Sequence, residues 1–241
     1  RDVERSRGLG DVYKRQDFSC PCTLPDHCIC QRFSGFFLPY QRRFSLIADS
    51  DPVVLLDAYF ETVPCNCVLL NNVQGAYLAA RHLIRTCKTQ PGYLHSAYPI
   101  SNFAERSSGF YKAVRAAGMS SSRSIVHKLT PSMEGAYADM MELIKNGEEL
   151  APCYFADNDL IAVGAIKALK ESDTDPLGIG IVGFDNLPLG SVIEPALTTI
   201  HVPKQYMGEA AAQKLIDLLH TPGQPPTKTE VSTMLVKRGT V

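Results

Sequence analysis

The run CYFADNDLIAVGAIKALKE (Cys153–Glu171), followed across a short loop by GIGIVGF (Gly178–Phe184), decides the fold. CYFAD is a short apolar segment, and Asn158 and Asp159 stand where an N-cap and an acidic first turn belong. LIAVGAIKALKE then carries apolar residues at helical spacing, and IGIVGF is rich in β-branched residues between turn formers. A strand, a helix and a second strand at this spacing form a right-handed parallel unit. Ligands of such sheets sit beyond the carboxyl ends of the strands, the edge on which Asn158, Asp159 and Asp185 fall.

Similar units extend outward in both directions. DPVVLLD reads as a buried strand ending at Asp57, and CVLL as a second apolar run. A helix from about Asn72 shows an apolar face of Val73, Ala76, Tyr77, Ala80 and Ile84. PGYLHSAYP supplies a strand, and a helix beginning near Ala104 carries Phe110, Ala113, Val114 and Ala117 and stops at Gly118. On that reading Arg106 lies in a first turn, unfavourable for a cation, which favours a binding role, with a solvated surface arginine as the competing reading. SIVHKLT is a strand, and Met133, Ala136, Tyr137, Met140 and Ile144 mark a helix whose stripe is core. LTTIHV is a strand. Pro203 opens a helix with Met207, Ala211, Leu215 and Leu218 on one face, and VSTMLVKR is a single final strand. The alternation is that of an α/β protein with a mostly parallel sheet.

The 241 residues, 45% hydrophobic, suffice for one or two domains with a buried core, and the net charge of -1 supplies no basic field for nucleic acid. No apolar run reaches the roughly 20 residues of a membrane span. The expectation is a cytoplasmic chain with reduced thiols, since Cys87 and Cys153 fall in core-like segments. Residues 1–16 have no periodicity, and DVYKRQ (Asp11–Gln16) resembles a translated sequencing-library end, so they are set aside as a cloning or sequencing scar. Residues 17–50 are an unassigned remnant. SGFFLP (Ser34–Pro39) reads there as a strand and RRFSLIADS as a helix.

Cys20, Cys22, Cys28 and Cys30, with His27 between them, evoke a metal knuckle, but a single residue within each pair is too short a spacing for zinc. No metal site is expected. Gly178, Gly180 and Gly183 spell G-x-G-x-x-G, yet they lie within a strand and DNLPLG follows instead of a helix, which argues against a dinucleotide. The histidines (His27, His82, His95, His127, His201, His220) show no ligand spacing. No cofactor and no catalytic residue is expected.

Arg106 with SSGF and AVRAAG, then FADNDLIAVGAIKAL, GIVGFDNLPLG, PALTTIHVPKQYMGEAAAQKL and LVKR, in this order, resemble the effector-binding domain of the lac-repressor/galactose-repressor family of bacterial transcription regulators. PVVLLD and NNVQGAYLAARHLI fit as well, so the likeness covers roughly residues 51–241. It implies a type I periplasmic-binding-protein-like fold: two Rossmann-like subdomains joined by three crossings, near Leu70, Val202 and Lys228. Residues 51–70 and 202–228 would form an incomplete amino-terminal subdomain, and 71–201 with 229–241 the carboxyl-terminal one.

The resemblance further implies a small effector between the subdomains, contacted by Asp57, Arg106, Asn158 and Asp185, with Asn102 and Asp159 as weaker candidates. A guanidinium fork with carboxylates and an amide suits a sugar or a nucleoside-like molecule. For Asn158 and Asp159, helix capping is the competing role. The family's helix-turn-helix and hinge helix are absent from this sequence, so operator DNA would be gripped only through a segment it lacks, and a homodimer is implied. Around Thr130 and Pro131 no aromatic stands where many members stack one on the ligand, and Asn71 replaces a commoner aspartate. The alternative is the sugar-binding protein of a transport system, which shares the architecture. An enzyme on this fold would need a perturbed acid-base pair that the sequence does not announce.

Overall fold

Alternating apolar strands and small-faced helices build two units in the computed structural model, which describes residues 52–59, 64–172 and 178–241 and the two-residue strand Cys30–Gln31. In chain order the strands are β1 (Cys30–Gln31), β2 (Val54–Leu56), β3 (Asn66–Leu70), β4 (Gly92–Ser96), β5 (Val126–Leu129), β6 (Cys153–Ala156), β7 (Gly180–Asp185), β8 (Thr198–His201), β9 (Lys228–Val231) and β10 (Met234–Val236). The helices are α1 (Asn72–Cys87), α2 (Ser101–Ala116), α3 (Met133–Lys145), α4 (Asp159–Glu171), the single turn α5 (Leu189–Val192) and α6 (Lys204–His220). The expected scar, the cysteine cluster around His27, and the strand and helix read into residues 34–50 lie outside the described residues.

One unit joins the described residues up to Leu69 to Lys204–Val231, and the other comprises Leu70–Pro203 with Ser232–Val241. In the first, a sheet of order β1-β2-β3-β9 is parallel at its β1-β2 and β2-β3 pairings. Leu55, Cys67 and Leu69 form a small core there, and α6 buries Met207, Ala211, Leu215 and Leu218, the four positions expected from its spacing. The second unit carries a six-stranded sheet of order β10-β8-β7-β6-β4-β5, parallel except for β10. Strand order reverses around β4, so the crevice at the carboxyl ends of β4 and β6 is the topological switch point of this sheet.

Alternation along these central strands fills both faces. Leu94, Tyr154, Ala156 and Ile181 join Leu129, Met140, Ile161 and Leu197 in one aliphatic cluster. Tyr93 and Phe155 point the other way and stack with Phe110 of α2, at ring-centroid distances of 4.9 Å (Tyr93–Phe110) and 5.3 Å (Tyr93–Phe155). Helix α1 packs against α2, and α3 against α4.

Three local expectations are corrected. The buried stripe of α1 is Asn72, Gly75, Ala76, Ala79, Ala80 and Leu83, rotated away from Val73, Tyr77 and Ile84. Small residues win because the helix lies against β7: a Cβ on Gly75 would come within 2.7 Å of the Phe184 ring. Helix α2 begins at Ser101, three residues earlier than its sequence suggests, so Arg106 lies in the second turn and the argument from a cation in a first turn lapses. The last run splits into β9 and β10 in different sheets. Between them Thr233 is buried and its N–H donates to Gln74 Oε1 at 3.0 Å, which anchors the chain as it enters the second unit.

The aromatic stack fixes α2 on the sheet, and Phe110→Ala is expected to cost about 3–5 kcal/mol of stability. Urea unfolding of parent and variant measures this, and a loss below about 1 kcal/mol would show that the stack carries little of the packing.

Candidate functional site

Arg106 projects from the second turn of α2 and is only 5% exposed. Removing a guanidinium from water costs several kcal/mol unless acceptors surround it. Its Nε donates to Asn72 Oδ1 at 2.9 Å, Nη1 donates to the Asp157 carbonyl, and Nη2 reaches Asp185 Oδ1 at 3.5 Å. The plane stacks over Phe184, 3.8 Å from guanidinium carbon to ring centroid. Asn72 is held in turn, since its Nδ2 donates to Glu105 Oε2 at 2.9 Å. A guanidinium carries five N–H groups. Three are used in this way, and the second hydrogens of Nη1 and Nη2 have no acceptor among the described residues.

Asp185 ends β7 with φ of 106°, and Asn186 follows at 50°. An L-residue rarely takes such a conformation, and it persists only where the surroundings impose it. Here they do: Asn186 Oδ1 accepts from Arg238 Nη2 at 2.6 Å, and Leu187 N–H donates to Asp159 Oδ2 at 2.7 Å. Asp57, at the end of β2 in the other unit, also has a positive φ of 55°, and its N–H donates to the Val68 carbonyl.

The expected contact residues are placed differently from one another. Arg106 and Asp185 come together. Asn158 is the N-cap of α4, its Oδ1 accepting from Ile161 N–H at 2.8 Å. Asn102 is half-buried in the first turn of α2. Asp159 is fully buried beneath the loop, and its Oδ1 accepts from Thr199 Oγ1 at 2.6 Å. Both its oxygens are thus engaged inside the protein. Gly183 makes this possible, because a Cβ there would collide with the Asp159 carboxylate. That is the physical use of one glycine in the G-x-G-x-x-G run.

Sequence reading passed over Asp157 and His95. Asp157 is fully buried at the end of β6, and its carboxylate accepts from the Tyr93 hydroxyl, from Ser96 N–H at 2.7 Å and from His95 Nδ1 at 2.6 Å. The signal was there in part: Tyr93 and His95 are two apart on one strand, so they share a face, and both CYFAD and GYLHS end on polar residues at the carboxyl edge. Tyr98, two residues beyond β4, is 54% exposed and supplies an aromatic surface near this edge. Cys65, Cys67, Cys87 and Cys153 are free, and no described helix is long and apolar enough to cross a membrane.

Burial pushes the Asp159 carboxyl up to about 7, partly offset by the hydrogen bonds from Thr199 and Leu187. In the unfolded chain the same group ionises near 3.8. Between these values the folded protein holds the extra proton, so stability falls as pH rises from about 4 to about 7, by roughly 4 kcal/mol from this group, and is then flat. In Asp159→Asn that slope should vanish. The difference in melting temperature between parent and variant is therefore expected to change across pH 4.5–7.5, with the parent losing ground as pH rises, and a constant difference would contradict the assignment.

Residues 80–241 match the family model for the periplasmic binding protein-like domain. The chain is 34% identical over 174 residues to the HTH-type transcriptional regulator GalS of Salmonella typhimurium, a match covering 71% of this chain and 51% of that protein. It is 31% identical over 200 residues to the HTH-type transcriptional regulator GalR of Escherichia coli, covering 82% and 57% respectively. The chain spans about half the length of the curated relatives it matches. Among solved structures, a LacI family transcriptional regulator from Enterococcus faecium with bound ribose superposes with a TM-score of 0.71 at 27% identity, over 79% of this chain and 70% of that one.

Proposed function

The chain belongs to the lac-repressor/galactose-repressor family through its periplasmic binding protein-like domain, and we propose that it is the effector-sensing domain of a bacterial transcription regulator. Its effector would be a small polyhydroxylated molecule, a sugar or a nucleoside-like compound, bound at the carboxyl edge of the six-stranded sheet. One observation carries this reading: the buried guanidinium of Arg106, two of whose N–H groups lack an acceptor among the described residues, lies beside the Asp185 carboxylate. Donors and an acceptor at hydrogen-bonding distance are what adjacent hydroxyls require. The ribose in the Enterococcus relative points the same way.

Asp185 and Arg106 are assigned as ligand contacts. Asn158 and Asn102 join them from α4 and α2, and Asp57 stays in the set on the family resemblance. Asp159 is assigned to positioning, because it anchors the backbone that follows Asp185. The Tyr98 ring would offer an apolar face to a sugar. No covalent chemistry is assigned. In the whole protein, a homodimer in the cytoplasm, a difference in effector affinity between two conformations would be felt at operator DNA as a coupling of about 1–3 kcal/mol. The regulators among the relatives favour this reading over a transport protein.

The test is a thermal-shift screen of pentoses, hexoses and nucleosides, D-ribose among them. A ligand present at 100 times its Kd should add about 2.7 kcal/mol to stability and raise the melting temperature. Arg106→Ala and Asp185→Ala should abolish that rise. A rise of equal size in both variants would remove the site from these residues.

A further inference from the structure

The Asp157 carboxylate is fully buried and organises the switch point without itself reaching solvent. Its Oδ1 accepts from Tyr93 and its Oδ2 from Ser96 N–H, so the third partner, His95 Nδ1 at 2.6 Å, is the protonated nitrogen of the ring. With Nδ1 carrying the proton, Nε2 is the acceptor nitrogen whenever the ring is uncharged. Nε2 makes no hydrogen bond among the described residues and is not enclosed, since the His95 side chain is 25% exposed. The Tyr93 ring, 4.9 Å away between centroids, packs against the same imidazole.

The backbone carbonyl of Asp157 receives Arg106 Nη1. One residue therefore fixes both side chains, the carbonyl taking the guanidinium and the carboxylate taking the imidazole. His95 and Arg106 end up at the same carboxyl edge, one with a free acceptor and the other with free donors.

We infer that His95 is a ligand-contacting, specificity-determining residue: its Nε2 accepts a hydrogen bond from one hydroxyl of the effector, and the buried Asp157 is the positioning residue that sets the ring's tautomer and direction. The inference rests on the effector-binding reading and adds to it a requirement for a hydroxyl at one defined place. A hydroxyl that donates to Nε2 and a neighbouring oxygen that accepts from Arg106 distinguish a polyol from a carboxylate or phosphate, which would bring no donor to the imidazole. Sequence spacing puts His95 on one strand face with Tyr93 but does not pair it with Asp157. Its role comes from being the last-but-one residue of β4, on the face that Tyr93 already shares with Asp157.

The experiment is a calorimetric titration of parent, His95→Ala and Asp185→Ala with D-ribose and every other sugar or nucleoside that raises the melting temperature, together with the monodeoxy analogues of each. His95→Ala is expected to bind about tenfold more weakly. One deoxy analogue should lose a similar factor on the parent and almost nothing further on His95→Ala, a pattern that a merely structural role would not produce. If His95→Ala binds within about twofold of the parent while Asp185→Ala loses tenfold or more, the role of His95 is overturned and the effector-binding reading survives. If no sugar and no nucleoside binds, or neither variant matters, the effector-binding reading fails and takes this inference with it. Should His95→Ala not fold, carbethoxylation of the parent decides: bound sugar is expected to slow modification of His95 by diethyl pyrocarbonate, and an unchanged rate overturns the proposal.

Discussion

A guanidinium taken out of water keeps its charge, so the protein around Arg106 has to answer for five N–H groups and one positive charge in a confined space. Asn72, the Asp157 carbonyl and Asp185 answer for three of the donors, and the Phe184 ring faces the plane. These partners come from α1, the end of β6 and the end of β7, so the demand of one side chain ties together three elements distant in sequence. The same demand explains the tight approach of α1 to β7, where Gly75 lets the helix sit on the ring that the guanidinium covers. An arginine placed here for packing alone would be a poor choice, since an apolar residue of similar size avoids the desolvation cost. The two donors left over are the ones the proposed effector would use.

Around that centre the strand tips are held in conformations that cost energy. The backbone at Asp185 and Asn186 is strained, and the clamp on it is built from protein side chains: the buried Asp159, Thr199 bonded to it, and Arg238 of the segment following β10. Strain of about 1–3 kcal/mol per residue persists only when neighbours over-determine it. Asp57, just past the carboxyl end of the parallel strand β2, also has a positive φ, 55° against 106° at Asp185.

Much of this was legible before any coordinates, because the signals are local. Alternation and turn residues located β4 to β8, the N-cap at Asn158 read directly, and the apolar face of α6 followed from spacing alone. What escaped was set by tertiary context. The core face of α1 is chosen by how closely a strand approaches, so small residues outrank the larger Val73, Tyr77 and Ile84. The division of the last apolar run at Thr233 depends on a partner 159 residues away, Gln74. His95 and Asp157 are 62 residues apart, and nothing in either strand announces that β4 and β6 are neighbours. Conversely, Asp159 drew attention as an acidic residue at a strand end, although its oxygens face inward to Thr199 and Leu187.

A crystal structure of the protein with D-ribose, or with whichever sugar stabilises it, tests the central claim most directly. The account predicts sugar oxygens within about 3.2 Å of both the Arg106 guanidinium and the Asp185 carboxylate, the range of ordinary hydrogen bonds. A sugar bound elsewhere, with Arg106 still directed only at its protein partners, would contradict it.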